Sequence, residues 1–444
     1  MTNFAKRVQD LINFIDASPS VFHATQNLSN ILEENGYTRI YENDKKALAP
    51  LGKYYITRNN SSIIAFRMPK STAPFLITAS HSDSPSFKLK WDAELEGGAY
   101  VRLNTEKYGG MILSSWLDRP LSIAGRVIIK NEDESGVYFT SKNVNVDRDL
   151  LIIPNVAPHQ NRAINDGFKY NPQSDMLPIF ASAGSKGKLL QTVADAAGVE
   201  KDKIVGSDIF LYNRNKGTFL GADNEWFACS RIDNLACAYT TLMGLLESDN
   251  ENMTAVCSVF DNEETGSSTK QGAASDFLRS VLDRICRAFE AQGEDAVCIN
   301  ELLASSFMVS ADNGHAKHPN RPEFSDPNNY PLMNKGIVVK FNAAQKYTTD
   351  APSASLFIEI CKRAGVAYQT FHNRSDAPGG STLGSISNTK VPLSTVDIGL
   401  AQLAMHSSYE TAGTYDVESM IKAMTELYNS TIVSSADSSY KLLK

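Results

Sequence analysis

Apolar residues open the chain at helical spacing. Phe4, Val8, Leu11, Ile12 and Ile15 fall on one face of a segment that predicts a helix over 4–16. Ser18-Pro19-Ser20 breaks the pattern, and Ser20 stands where it would cap a second helix running to Asn35-Gly36. The period then shortens. Tyr54 to Thr57 and Ser62 to Phe66 predict a hairpin around Asn59-Asn60, and Pro74 to Ser80 is almost continuously apolar, as in a strand covered on both faces. That run leads directly into His81-Ser82-Asp83.

From about 92 to 220 the pattern changes to short β-leaning runs separated by Asn, Asp and Gly turns. Ser122 to Lys130, Gly136 to Thr140 and Ser207 to Tyr212 are examples, and only 187–198 predicts a helix. Beyond 228, helical and strand patterns alternate again. Helices are expected over Asn234 to Leu246, 273–292, Ser353 to Arg363 and Val417 to Tyr428. Strands are expected over 254–260, 306–310, 337–341, 366–371 and 393–398, and Ser434 to Ser439 reads as a loose tail. The expected fold is therefore α/β: an α/β domain in two parts, 1–91 and 221–444, with a β-rich domain inserted at 92–220.

Composition narrows the class. At 444 residues, 42% hydrophobic and 21% charged, the chain can bury a large core. A net charge of −7 argues against a mainly electrostatic nucleic-acid or acidic-membrane binder. No run of eighteen apolar residues predicts a membrane span, and the amino terminus lacks the apolar core of a secretory signal. Cysteines 229, 237, 257, 286, 298 and 361 have no CxxC spacing and read as buried thiols of a reducing compartment, so a cytoplasmic location is expected.

The chemistry-bearing residues collect just past the expected strands. His81 and Asp83 follow one strand, Glu263 and Glu264 another, and Asp312 a third; Asp233 opens a helix, and His406 lies beyond the strand at 393–398. In open α/β sheets, ligand sites gather beyond the carboxyl ends of the strands. Each residue alone reads equally well as a helix cap, a loop carboxylate or a satisfied histidine. Together they supply imidazoles and carboxylates enough for a pair of metal ions, with a carboxylate to spare as a base.

The order and surroundings of these residues resemble the aspartyl aminopeptidase family of co-catalytic zinc aminopeptidases (aminopeptidase I type). The resemblance is carried by Thr78 to Pro85, Ser230 to Leu235, Phe260 to Ser267, Ser310 to Asn320, Gly379 to Gly384 and Gln402 to Ser407, and it spans nearly the whole chain. It implies a zinc-exopeptidase-like α/β/α catalytic domain with an inserted dimerisation domain. It also implies two zinc ions, although cobalt or manganese suits such ligands too. By resemblance, His81 and Asp312 hold one metal, Glu264 and His406 the other, and Asp233 bridges them. Asp83 orients His81, and Glu263 takes the proton from the water shared by the metals. His159 matches a histidine that reaches into a neighbouring subunit's active site, but Asp175, nearby, stands where relatives often have histidine. His315 and His318, close to Asp312, are either neighbours of the site or structural.

On the substrate side, Lys340 matches a lysine that binds the side-chain carboxylate of an amino-terminal Asp or Glu; a solvent-facing strand lysine is the alternative. The resemblance further implies peptide substrates and a homo-oligomer, with dimers building a dodecamer. Competing readings are a neutral or broad-specificity aminopeptidase, an N-acyl amino acid amidohydrolase on the same scaffold, and a non-catalytic scaffold.

Overall fold

A nine-stranded sheet forms the centre of the molecule in the computed structural model, which describes residues 3–296 and 298–443. Its strands lie in the order Thr38–Arg39, Lys53–Arg58, Ser62–Arg67, Thr254–Phe260, Phe75–His81, Phe307–Ala311, Ser394–Gly399, Ile337–Phe341 and Tyr368–His372. The four strands Thr254–Phe260, Phe75–His81, Phe307–Ala311 and Ser394–Gly399 are mutually parallel, with Val256 opposite Ile77 and Met308 beside it on the other side. Every residue of Phe75–His81 is buried, which explains its continuous apolar run.

Alternate residues of these strands enter two separate cores. Leu76 and Val309 pack with the helices Asn3–Asp16, Ile232–Leu246, Ala351–Arg363 and Thr414–Asn429, whereas Phe75, Ile77 and Met308 pack with Phe277–Glu290. The result is a helix–sheet–helix sandwich whose parallel strands all end on one edge. Gly244 lets Ile232–Leu246 lie directly on Thr414–Asn429, since a Cβ there would come within 2.3 Å of Met424.

A second sheet of six strands runs Gly136–Asn145, Leu121–Asp133, Ile204–Asn213, Ser86–Gly97, Tyr100–Tyr108 and Ile179–Ser182. It has its own core, including Phe87, Leu103, Trp116, Ile123 and Leu211, and carries the helix Lys188–Ala197. The expected break between 91 and 92 falls inside Ser86–Gly97. The chain passes from the central sheet to the second one through Ser82 to Pro85, before its composition changes. A third, five-stranded sheet pairs Thr218–Leu220, Trp226–Cys229, Glu410–Gly413, Ala401–Leu403 and Gly314–His315.

Three local expectations need correction. Ser20 does precede the second helix, Val21–Glu34, but its hydroxyl bonds His23 Nδ1 at 2.8 Å instead of capping the backbone. The supposed tail at 434–439 belongs to a hairpin, Ile432–Ala436 with Ser439–Leu442. Ile432 is buried, Tyr440 and Leu442 pack on the main core, and Arg363 donates to the carbonyls of Leu442 and Leu443. Polar composition concealed these three apolar anchors. Cys298 is exposed, while the other five cysteines are buried and all six are free. Among the described residues no helix is long and apolar enough to cross a membrane.

Candidate metal centre

His81, Glu263, Glu264 and Asp312, which end or follow the parallel strands, meet Asp233 at the start of the helix Ile232–Leu246 and His406 in the loop after Ala401–Leu403. His81 Nε2 lies 3.4 Å from Asp312 Oδ1, 3.6 Å from Asp233 Oδ1 and 4.0 Å from Glu263 Oε2. His406 Nε2 lies 3.4 Å from Asp233 Oδ2 and 3.5 Å from Glu264 Oε1. Asp233 thus turns one carboxylate oxygen to each imidazole. The peptide between Asp233 and Asn234 is cis.

Local sequence explains how adjacent glutamates serve different halves. After Thr254–Phe260, Asn262 takes φ 63° and Gly266 φ 94°, enclosing a single 3₁₀ turn, Glu263–Thr265. Consecutive side chains of a 3₁₀ turn diverge by about 120°. Glu263 therefore faces His81, and Glu264 faces His406.

Asp83 secures this turn. Its carboxylate accepts the backbone N–H groups of Glu263 and Glu264, each at 3.1 Å, and the Tyr108 hydroxyl at 2.7 Å. It also lies 3.3 Å from His81 Nδ1, which is 3.1 Å from the Asp83 carbonyl. His406 Nδ1 bonds the Gly110 carbonyl at 2.7 Å. A carbonyl only accepts, so each neutral imidazole carries its proton on Nδ1 and turns the Nε2 lone pair into the cluster.

Glu410 has a matching role that sequence reasoning missed. Buried in the five-stranded sheet, it accepts the N–H of Asp233 at 2.9 Å and that of His406 at 2.8 Å. Its only signal in the sequence is a charged residue at the start of the small, otherwise uncharged strand Glu410–Gly413. Lys340 is buried, donates to the Asn313 carbonyl at 2.7 Å and lies 4.0 Å from Asp312 Oδ2. It is not a solvent-facing strand lysine. His159 is exposed in the stretch between Ile153 and Leu177 and makes no bond to the cluster. Asp175, near it in sequence, accepts the N–H of Asn171 at 2.7 Å. His315 and His318 line a surface pocket with Phe371, His372, Arg374 and Met405.

So many buried carboxylates repel one another. Burial and neighbouring negative charge push Glu263 up to about 8 and Glu264 well above its ordinary value, while burial and Asp233 push Glu410 up to about 8. For both histidines burial acts downward and is overridden. Asp312, Asp83 and Glu263 hold His81 well above its usual value, and Asp233 and Glu264 take His406 to about 10. Burial likewise opposes ionisation of Asp312 but is outweighed by Lys340 and His81, which lower its pKa.

This donor set fits zinc. Ligand atoms of His81, Asp233 and Glu264 lie within 4.8 Å of one another, and Asp233 Oδ1 and Glu264 Oε1 are buried without a hydrogen-bond donor. Orphaned carboxylate oxygens beside imidazole nitrogens directed at them are what a divalent cation satisfies once it displaces their protons.

The upward shifts mean that the metal-free site holds protons near neutrality, and a cation must expel them. Zinc affinity is therefore expected to rise between pH 6 and pH 8, with proton release on binding. Calorimetry in buffers of different ionisation enthalpy measures both; affinity that is flat with pH would contradict the assignment.

The family described as Aminopeptidase I zinc metalloprotease (M18) matches residues 14–428. A probable M18 family aminopeptidase 2 of Clostridium acetobutylicum is 43% identical over 437 residues, covering 97% of this chain and 100% of that protein. A similarly named protein of Pseudomonas entomophila is 36% identical over 431 residues, covering 95% and 97%. Among solved structures, the Ape4 and Nbr1 complex contains a chain that superposes with a TM-score of 0.91 at 33% identity, over 96% of this chain and 86% of that one. The S. cerevisiae mApe1 dodecamer gives 0.84 at 26% identity, over 96% and 97%.

Proposed function

The chain belongs to the aminopeptidase I zinc metalloprotease (M18) family, and we propose that it removes amino-terminal residues, preferentially Asp or Glu, from peptides at a two-zinc centre. The observation that carries the two-ion reading is Asp233, whose two oxygens face different histidines at 3.6 and 3.4 Å. In this reading His81 and Asp312 would hold one ion and His406 and Glu264 the other, with Asp233 shared between them. When bound, zinc supplies a Lewis acid that polarises the scissile carbonyl and acidifies water. Zinc is the favoured metal, with cobalt or manganese as substitutes.

Glu263 is the general base. Its side chain is 14% exposed against 5% for Glu264, so of the pair it is the carboxylate open to substrate. It takes the proton of the attacking water and returns it to the leaving amine, so that one carboxylate serves as base and then as acid. Asp83 keeps His81 oriented and ties the Glu263 turn in place.

Lys340 gives the pocket its preference for an acidic first residue. Burial would lower its pKa, but Asp312 outweighs this and keeps it cationic. The ammonium uses one hydrogen on Asn313, leaving donors for a substrate carboxylate. His159, exposed and away from its own cluster, acts in a neighbouring copy, where it stabilises the tetrahedral intermediate. The six-stranded sheet mediates dimerisation, and the dimers build a dodecamer, the state of the mApe1 structure that this chain resembles.

Glu263→Gln is expected to retain zinc by elemental analysis while kcat falls about a hundred- to ten-thousand-fold; near-normal turnover rejects the role. Lys340→Ala should reduce kcat/KM for aspartyl anilides much more than for leucyl anilides, and equal losses exclude Lys340 from specificity. Action in trans is tested by complementation. Glu263→Gln and His159→Ala should each be inactive alone. Co-refolded in equal amounts, they should recover about one quarter of wild-type activity, because half of random dimers carry one intact site of two. No recovery places His159 outside the neighbouring site.

A further inference from the structure

The strand Tyr100–Tyr108 of the six-stranded sheet ends against the metal centre, and its last residue and the two glycines that follow touch it at three points. The Tyr108 hydroxyl donates to Asp83 Oδ2 at 2.7 Å and accepts from Asn262 Nδ2 at 2.9 Å, which fixes it between the two strand exits. Gly109, at φ 76°, packs on Glu264: a Cβ here would lie 3.1 Å from Glu264 Cβ and 3.4 Å from Pro85 Cα. The Gly110 carbonyl accepts from His406 Nδ1 at 2.7 Å, and the Ile112 N–H donates to the His406 carbonyl at 2.9 Å. Further along, Ser115 Oγ accepts the Ser408 N–H at 2.9 Å, tying down the same loop.

These contacts reach His81 through Asp83, Glu264 through van der Waals packing, and His406 directly. They come from one short segment of a different sheet from the one that carries His81 and Glu264. Burial and the charges of Asp83 and Asp261 raise the Tyr108 pKa, so its hydroxyl stays protonated and donates to the carboxylate.

We infer that Tyr108-Gly109-Gly110 is the positioning element of the metal centre, so that the six-stranded sheet sets zinc affinity within its own chain, apart from any part in assembly. The inference rests on the metal-centre reading above. Outer hydrogen-bond partners fix the tautomer and orientation of metal-binding imidazoles, and losing one typically costs 10- to 100-fold in metal affinity.

Tyr108→Phe tests it with little disturbance, because the ring keeps its edge contact with Phe210 at 5.4 Å and only the hydroxyl is lost. Zinc affinity, measured by competition with a fluorescent chelator, should fall about 10- to 100-fold, with the melting temperature of the metal-free protein almost unchanged. Gly109→Ala should also weaken zinc binding by crowding Glu264, whereas Glu106→Ala, exposed on the same strand, should bind as wild type. Wild-type affinity in both Tyr108→Phe and Gly109→Ala overturns the inference. So does an affinity loss matched by a comparable fall in metal-free melting temperature, which marks a merely structural role. A wild-type protein that binds no zinc removes the metal-centre reading itself and the inference with it.

Discussion

Mutual repulsion among buried carboxylates is the constraint on which the rest of the structure depends. Asp83, Asp233, Glu263, Glu264 and Asp312 converge within a few ångströms of two imidazoles at the edge of the central sheet. No apolar core would hold such a set by itself, because burying like charges without partners costs several kcal/mol each. The fold compensates with directed donors. Asp83 takes the N–H groups of Glu263 and Glu264, and Glu410 takes those of Asp233 and His406. These two carboxylates carry no proposed role as ligands, yet each clamps the backbone of two residues that converge on the centre.

The parallel strands explain why this arrangement exists where it does. Thr254–Phe260, Phe75–His81 and Phe307–Ala311 end side by side, so the residues that follow them are delivered to one place. A parallel sheet buried on both faces leaves polar chemistry to its strand ends. The surrounding sheets then complete the centre. The five-stranded sheet contributes Glu410, and the chain leaving the six-stranded sheet contributes Tyr108 and the Gly110 carbonyl. The metal centre is therefore held at the junction of three sheets, each anchoring a different part of it.

Charge balance also accounts for Lys340. It lies on the central-sheet strand Ile337–Phe341, buried beside Asp312, with its ammonium 5.5 Å from the centre of the Tyr347 ring. One buried cation beside the cluster lowers the cost of keeping Asp312 ionised. In the proposed reading the same charge also meets an acidic substrate, which would give one side chain a structural and a recognition task.

Much of this was legible along the chain. The unbroken apolar run before His81 marked a doubly covered strand, and the acidic or imidazole residues after each such run marked a ligand edge. Both signals are local, because strand burial and strand exit are written in consecutive residues. The outer partners left no comparable trace. Tyr108, Gly110 and Glu410 sit in segments whose patterns describe only their own sheets, and a backbone carbonyl has no side-chain signature at all. The terminal hairpin was missed for a related reason: Ile432, Tyr440 and Leu442 are too sparse to show a period. Sequence alone determined which acidic and imidazole residues follow the strands and in what order, since residue type and strand period are properties of short stretches. Only the tertiary structure decided which imidazole faces which carboxylate and what orients them, because those contacts join positions up to 296 residues apart.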